Sequence, residues 1–210
     1  MKTDDLIAAL AADTTPLASP EARLVRSLLP SMAIGIVAVF LLWQARPDLS
    51  AALLSVPVTK TVGPLILALA AMWLARGLCY PEARARAEKA LLGTMIVAIA
   101  VLAIAAFWSG GVSGTILALS TTNTVTCLLS VPVLAALPLA SVIYAMRAGA
   151  PVDPVRAGAV SGLVAGSVSA AIYSLHCPVD SLLFVLPAYG VSILIVVAAG
   201  AYAGKRWLRW

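Results

Sequence analysis

From Ala90 to Met146 the chain carries no charged side chain. In lipid a backbone must satisfy its own polar groups, and a helical crossing takes roughly 20 apolar residues. That run is therefore long enough for two membrane spans and a linker. Four further charge-free stretches supply one span each. They lie between Arg26 and Arg46, between Lys60 and Arg76, from Ala157 to Val179 and from Ser181 to Gly204. The second extends at both ends because Lys and Arg side chains snorkel. With 62% hydrophobic and 11% charged residues, the chain reads as an all-α, polytopic membrane protein of six transmembrane helices. The runs do not alternate as the strands of a membrane barrel do.

Charge sets the expected orientation. With the N-terminus cytoplasmic, every Lys and Arg of the 14 falls on the cytoplasmic side except Arg46 and Lys60. The positive-inside rule then places both termini in the cytoplasm, as an even number of spans requires. The net charge of +5 reflects this bias and gives no reason to expect direct nucleic-acid binding. Met1–Asp5 are polar and the first long apolar run begins near Leu28, so no secretory leader is expected.

Residues 1–27 read as a cytoplasmic tail, 28–204 as the transmembrane domain and 205–210 as a basic cytoplasmic end. In the tail, Thr3 is expected to cap a short helix with Asp4 and Asp5 in its first turn, where negative charge suits the helix dipole. Leu6, Ile7 and Leu10 share one face, and Asp13–Pro16 is expected to stop the helix. Ser19-Pro20-Glu21 marks a second helix start. The spans are expected near Leu28–Gln44, Val58–Cys79, Ala90–Trp108, Cys127–Met146, Ala157–Val179 and Leu182–Ala203. The Gly-, Ser- and Thr-rich segment 109–126 reads as an outer loop with a short helix near Ile116–Leu119. Pro132 and Pro138 predict a bend in the fourth span. Gly158, Gly162 and Gly166, followed by Ala170 and Ser174, form a small-residue face for close helix packing. Continued to Cys177, helical periodicity puts that cysteine near the same face, with Pro178 ending the helix.

This topology places Cys127 and Cys177 at the outer ends of the fourth and fifth spans, and Cys79 at the inner face, where it reads as a packing residue. The outer cysteines read either as a thiol pair able to bind soft metals or be oxidised, or as small apolar fillers at helix ends. His176 and Asp180 are candidate nitrogen and oxygen ligands beside Cys177. The spans lack deep ionisable residues, which counts against a pump or secondary transporter. No CxxC, HExxH or phosphate-binding glycine loop occurs, so no enzyme is expected and no cofactor is indicated. The rival reading is a small metal-ion or solute permease with an outer-face cysteine entry site.

Three stretches together resemble the NrsF (negative regulator of sigma F) family. They are Met1-Lys2-Thr3-Asp4-Asp5-Leu6-Ile7-Ala8-Ala9-Leu10-Ala11, Cys127-Leu128-Leu129-Ser130-Val131-Pro132, and Leu175-His176-Cys177-Pro178-Val179-Asp180-Ser181-Leu182-Leu183-Phe184. The resemblance covers the whole chain. It implies a bacterial inner-membrane anti-sigma factor whose cytoplasmic part holds an extracytoplasmic-function sigma factor. It further implies release when Cys127 and Cys177 respond to heavy-metal or oxidative stress, with a heavy-metal ion at the outer cysteines only transiently. Thr3, Asp4, Asp5, Leu6 and Leu10 match the family's N-terminal segment. With Ile7, they form the expected sigma-binding helix: Leu6, Ile7 and Leu10 in an apolar groove, Asp4 and Asp5 against a basic surface. The chain departs from the family pattern at Val179, where an acidic residue is usual, and at Ala188-Tyr189, where an aromatic pair is usual.

Overall fold

A computed structural model describes residues 3–12, 19–80, 85–149 and 151–209. Among these residues the fold is all-α, and six helices are long and apolar enough to cross a membrane. α1 is Thr3–Ala12. α2, Pro20–Ala38, continues through a wider π-helical turn, Val39–Trp43. A short α3, Leu49–Leu53, and a 3-10 turn, Val56–Val58, lead into α4, Thr59–Leu78. α5 is Arg86–Leu119, α6 Thr122–Met146, α7 Pro154–Tyr173 and α8 Leu182–Trp207.

Ser19 caps α2 as its sequence predicts, accepting a 3.2 Å hydrogen bond from the Ala22 N–H with Pro20 in the first turn. Thr3 stands inside α1 as its first residue rather than before it. The predicted stop at Asp13–Pro16 lies outside the described residues. α7 begins at Asp153-Pro154, where the Asp153 carboxylate accepts from the N–H groups of Val155 and Arg156. Both starts follow the same logic: a side-chain acceptor for orphan N–H groups, then proline where no N–H is needed.

α7 is the buried axis of the bundle and packs most intimately on α8. Its glycine face meets a second one, Gly200 and Gly204. A Cβ at Gly162 would lie 2.5 Å from the Val196 carbonyl, and one at Gly200 would lie 2.8 Å from the Gly162 Cα. Gly158 meets the backbones of Gly200 and Gly204 in the same way. Lipid tails are as apolar as leucine, so helices associate here through close van der Waals packing, which small residues permit. The seam joins two helices of one chain. α2, α4 and α6 complete the bundle around α7. α5 is its least buried helix and exposes Val97, Val101, Trp108 and Leu117 on several sides, as a lipid-facing helix does.

Two expectations change. The segment 109–126 is almost wholly helical: α5 runs on to Leu119, turning at Gly111, whose φ of 66° and ψ of 178° break the helix direction. Glycine and serine are ordinary constituents of membrane helices, so their abundance did not mark a loop. α7 ends at Tyr173, earlier than predicted, and Cys177 lies in the loop that follows rather than on the helix face. Pro178 disfavours helical geometry at Cys177 and lacks the N–H that would bond back to Ser174. Neighbouring segments also take the chain's carbonyls: the Arg46 N–H donates to Leu175 O at 3.1 Å, and the Lys60 ammonium donates to Cys177 O.

Candidate thiol site

The bundle has one end where Pro20 and Trp207 lie and another where loops 44–48 and 174–181 meet. The second end holds the site. Pro47 and Pro178 keep both loops out of helix, and the loops dock on one another. His176 Nδ1 donates to Gln44 O at 2.8 Å, which places a proton on that nitrogen. Gln44 holds a φ of 64° to present this carbonyl.

Beneath the loops lie two buried cations, Arg46 and Lys60, which the sequence places in the first outer loop and at the snorkelling edge of the second span. Lys60, in the first turn of α4, turns inward instead of snorkelling, and Arg46 is equally buried, their side chains 5% and 4% exposed. Charges taken out of water must be paired and hydrogen-bonded. Arg46 spans two carboxylates, with Nε and Nη2 on Asp48 at 2.7 and 2.8 Å and Nη1 and Nη2 on Asp180 at 2.8 and 3.0 Å. The Lys60 Nζ lies 2.5 Å from Asp180 Oδ1 and also donates to the carbonyls of Val179, at 3.2 Å, and Cys177. Asp180 thus ties the α7–α8 loop to the first loop and to α4. Its hydrogen bonds from Arg46, then from Lys60, hold its carboxyl at about 2 against the partial burial that opposes them. The Arg46 hydrogen bond likewise lowers Asp48.

The cysteines lie against this cluster. Cys127, in the second turn of α6, and Cys177 are both fully buried, both free thiols and both members of one apolar cluster. Their side chains share that buried cluster, and the neighbouring Cys127 thiol, then the Val179 backbone and the Lys60 charge, lower the Cys177 thiol against the burial that opposes them. Tyr173 meets Cys127 and Ser130, and Tyr189 meets Cys177. Ser130 accepts a 3.0 Å hydrogen bond from the Trp43 indole, and Ser192 donates to Cys127 O at 3.4 Å. These two hydrogen bonds tie α6 to the π-helical turn after α2 and to α8.

The structure brings Cys127 and Cys177 together and leaves His176 aside. That ring packs on Tyr173 at 5.5 Å and is engaged with Gln44. Among the described residues no group of three His, Cys, Asp or Glu is placed to hold a metal ion. The donor set suits a soft ion bridged by two thiolates and lacks a third ligand. Cys79 lies at the opposite end, packed on Gly149, and burial raises its thiol to about 11. In α1, Thr3, Asp4, Asp5 and Ile7 are exposed, whereas the side chains of Leu6 and Leu10 lie outside the described residues. Arg46 and Lys60 are the functional candidates that sequence reasoning missed. The signal was their isolation: they are the two cations that break the charge bias, and one acid, Asp180, follows Cys177.

Residues 10–210 match the profile of a family described as NrsF, negative regulator of sigma F. The chain is 35% identical to the anti-sigma-F factor NrsF of Caulobacter vibrioides over 217 residues, covering all of both chains. It is 32% identical to the probable anti-sigma-F factor NrsF of Azospira oryzae over 218 residues, again covering both. No solved structure matches.

Proposed function

This chain belongs to the NrsF family of negative regulators of sigma F, and from that premise we propose that it is an inner-membrane anti-sigma factor for an extracytoplasmic-function sigma factor. In this reading both termini are cytoplasmic, following the distribution of Lys and Arg, and the thiol site faces the periplasm, a compartment that permits disulfides. Heavy-metal or oxidative stress acts on Cys127 and Cys177, and the sigma factor is released on the other side.

The observation that carries the sensing role is the pairing itself. Cys127 on α6 and Cys177 on the α7–α8 loop are far apart in sequence, yet both belong to one buried cluster, at the end of the bundle away from the start of α2. A disulfide, or a soft ion between the two sulfurs, joins α6 to that loop. α1 supplies the contact for the sigma factor, with Leu6, Ile7 and Leu10 in an apolar groove and Asp4 and Asp5 against basic side chains.

The test is co-purification of the sigma factor with the full chain, with a chain lacking residues 1–27, and with the Leu6→Asp/Leu10→Asp variant. Capture by the full chain alone is expected, and undiminished capture by the other two refutes the role of α1. Cadmium or peroxide is expected to release the sigma factor from the wild type but not from Cys127→Ser or Cys177→Ser. Equal release from all three refutes the thiol sensor.

A further inference from the structure

We propose that the π-helical turn Val39–Trp43 is a register switch. The loop bearing Cys177 and the helix bearing Cys127 hold it wide. When that hold is lost, the turn relaxes to α-helix and moves α2. The inference deepens the sensing role proposed above and rests on it for the output at the tail.

The turn reconciles two registers of α2 that differ by one residue. Leu24, Leu28, Ser31, Gly35 and Val39 are buried at spacings of four, three, four and four residues, one face of an α-helix. At about 100° per residue that face continues through Leu42, and Trp43 falls well round from it. The structure shows the reverse. Leu42 is 74% exposed, while Trp43 is turned inward, its indole donating to Ser130 Oγ on α6 at 3.0 Å. A π turn closes its hydrogen bonds one residue later than an α turn, so it takes up one surplus residue. That surplus is the difference between the two registers.

The outer register is imposed from the thiol site. Ser130 stands one turn from Cys127 on α6. The residue after the turn, Gln44, has φ 64° and ψ 151°, a backbone conformation essentially reserved for glycine. Such strain persists only where the surrounding contacts over-determine it. Here the Gln44 carbonyl accepts from His176 Nδ1, next to Cys177, and the Arg46 N–H donates to Leu175 O. Both thiol-bearing elements therefore grip the same two residues, Trp43 and Gln44. A groove between α2 and α6, lined by Gly35, Ala38, Leu42, Trp43, Leu134 and Leu137, gives the turn space to repack.

The consequence is mechanical. When residues 175–177 shift as Cys177 is joined to Cys127 or to a soft ion, Gln44 loses the contact that offsets its strain. The turn then closes to α-helix, Leu42 takes the place of Trp43, and the outer end of α2 rotates by about 100°. The same residues in α form reach about 1.5 Å farther along the axis. Asp180, held by Lys60 of α4, keeps Arg46 clamped, so the added length goes toward Leu24, Leu28 and the tail. Helix shifts of about 1–2 Å are a usual size for a switching movement.

The test uses the full chain with Trp43 as its only tryptophan, Trp73, Trp108, Trp207 and Trp210 being replaced by Phe. It is measured in a detergent with brominated tails, which quench a lipid-facing indole. The parent is expected to be weakly quenched. His176→Ala is expected to raise quenching severalfold as Trp43 turns outward, and unchanged quenching overturns the switch. Deleting Leu41 removes the surplus residue, so that Trp43 faces inward in plain α-helix. This deletion is expected to keep the unfolding midpoint, whereas deleting Ala33 from the α-helical part lowers it. Equal loss from the two deletions overturns the surplus-residue argument. With Leu41 deleted, His176→Ala is expected to leave quenching low. A rise as large as in the parent means that the loop merely loosens, and overturns the switch. At the output, cadmium is expected to release the sigma factor from the full chain and not from the Leu41 deletion. Release from both overturns transmission through the turn. No release from the full chain refutes the sensing role, and the quenching results then decide the switch by themselves.

Discussion

Replacing Asp180 with Asn keeps the shape of the α7–α8 loop and removes the charge that two buried cations share. Arg46 keeps Asp48, an exposed partner, while Lys60 keeps only the carbonyls of Cys177 and Val179. Two routes give the size of the effect. A carboxyl held at about 2 rather than 3.8 gains about 2 kcal/mol for its charged form, at ~1.4 kcal/mol per pKa unit. Its side chain is 30% exposed, and solvent screening brings that toward about 1–2 kcal/mol. Leaving a fully buried charge without its partner costs about 3–5 kcal/mol, and the two surviving carbonyls place Lys60 well below that. A loss of about 2 kcal/mol is the expected result. The measurement is reversible unfolding of the full chain in mixed micelles of mild detergent and dodecyl sulfate, followed by tryptophan fluorescence. The pH dependence supplies a second readout. Because the folded pKa lies below the unfolded one, the stabilisation is complete above about pH 4 and disappears as the pH falls through about 2. Wild-type stability should therefore decline across that window more steeply than that of Asp180→Asn. Asp48→Asn, at an exposed carboxylate, should cost clearly less. A change within ~0.5 kcal/mol for Asp180→Asn, the range of ordinary surface substitutions, refutes the idea that this cluster ties the loops together.

Gly162→Leu should destabilise the same unfolding reaction by at least about 1–3 kcal/mol, because the added carbon meets the Val196 and Val197 backbone. Gly63→Ala, where nothing lies within 4 Å, is its control. Gly111→Ala should cost about 1–3 kcal/mol, since φ 66° with ψ 178° is a conformation that only glycine adopts freely. An unchanged midpoint would show that the α5 turn lies elsewhere. The Arg76–Glu21 pair joins α4 to the first turn of α2 at 2.7 Å but is well exposed, so Glu21→Gln should change stability by less than ~1 kcal/mol, and less still at high salt.

The spans were legible because lipid leaves few ways to satisfy a backbone, so uncharged runs translate directly into helices. The glycine face of α7 was legible too, and its partner was written at the same spacing in Gly200 and Gly204. Which two faces would meet was not, because small residues permit contact without specifying it. Lys60 shows the limit most clearly. A lysine at the edge of an apolar run is equally consistent with a side chain snorkelling to water and one turned inward to carbonyls and a carboxylate. The choice depends on Asp180 and the Cys177 carbonyl, distant in sequence. The same tertiary context shapes the end of α7: Pro178 predicts a stop, and Arg46 and Lys60 take the carbonyls of Leu175 and Cys177 in the loop that follows Tyr173.

The packing also limits how an event at the thiols would travel. α7 and α8 interlock backbone to backbone along the glycine seam, so sliding one past the other would break contacts over much of their length. Packed elements shift between discrete arrangements rather than deform continuously, and this pair is best regarded as one body. Cys177 belongs to its loop, whereas Cys127 belongs to α6, a helix interrupted by Pro132 and Pro138. A covalent bond between the thiols therefore joins the rigid pair to the helix with two breaks in its hydrogen-bond ladder. The other end of α6 is not free. Ser161 of α7 hydrogen-bonds Met146 at 2.9 Å, and Met146 shares a buried cluster with Leu24 and Leu28 of α2. Those leucines stand in the first turns of the helix that follows the N-terminal tail. If the thiols move α6, the first segment at the opposite end to feel it is the one that carries the proposed sigma-binding helix.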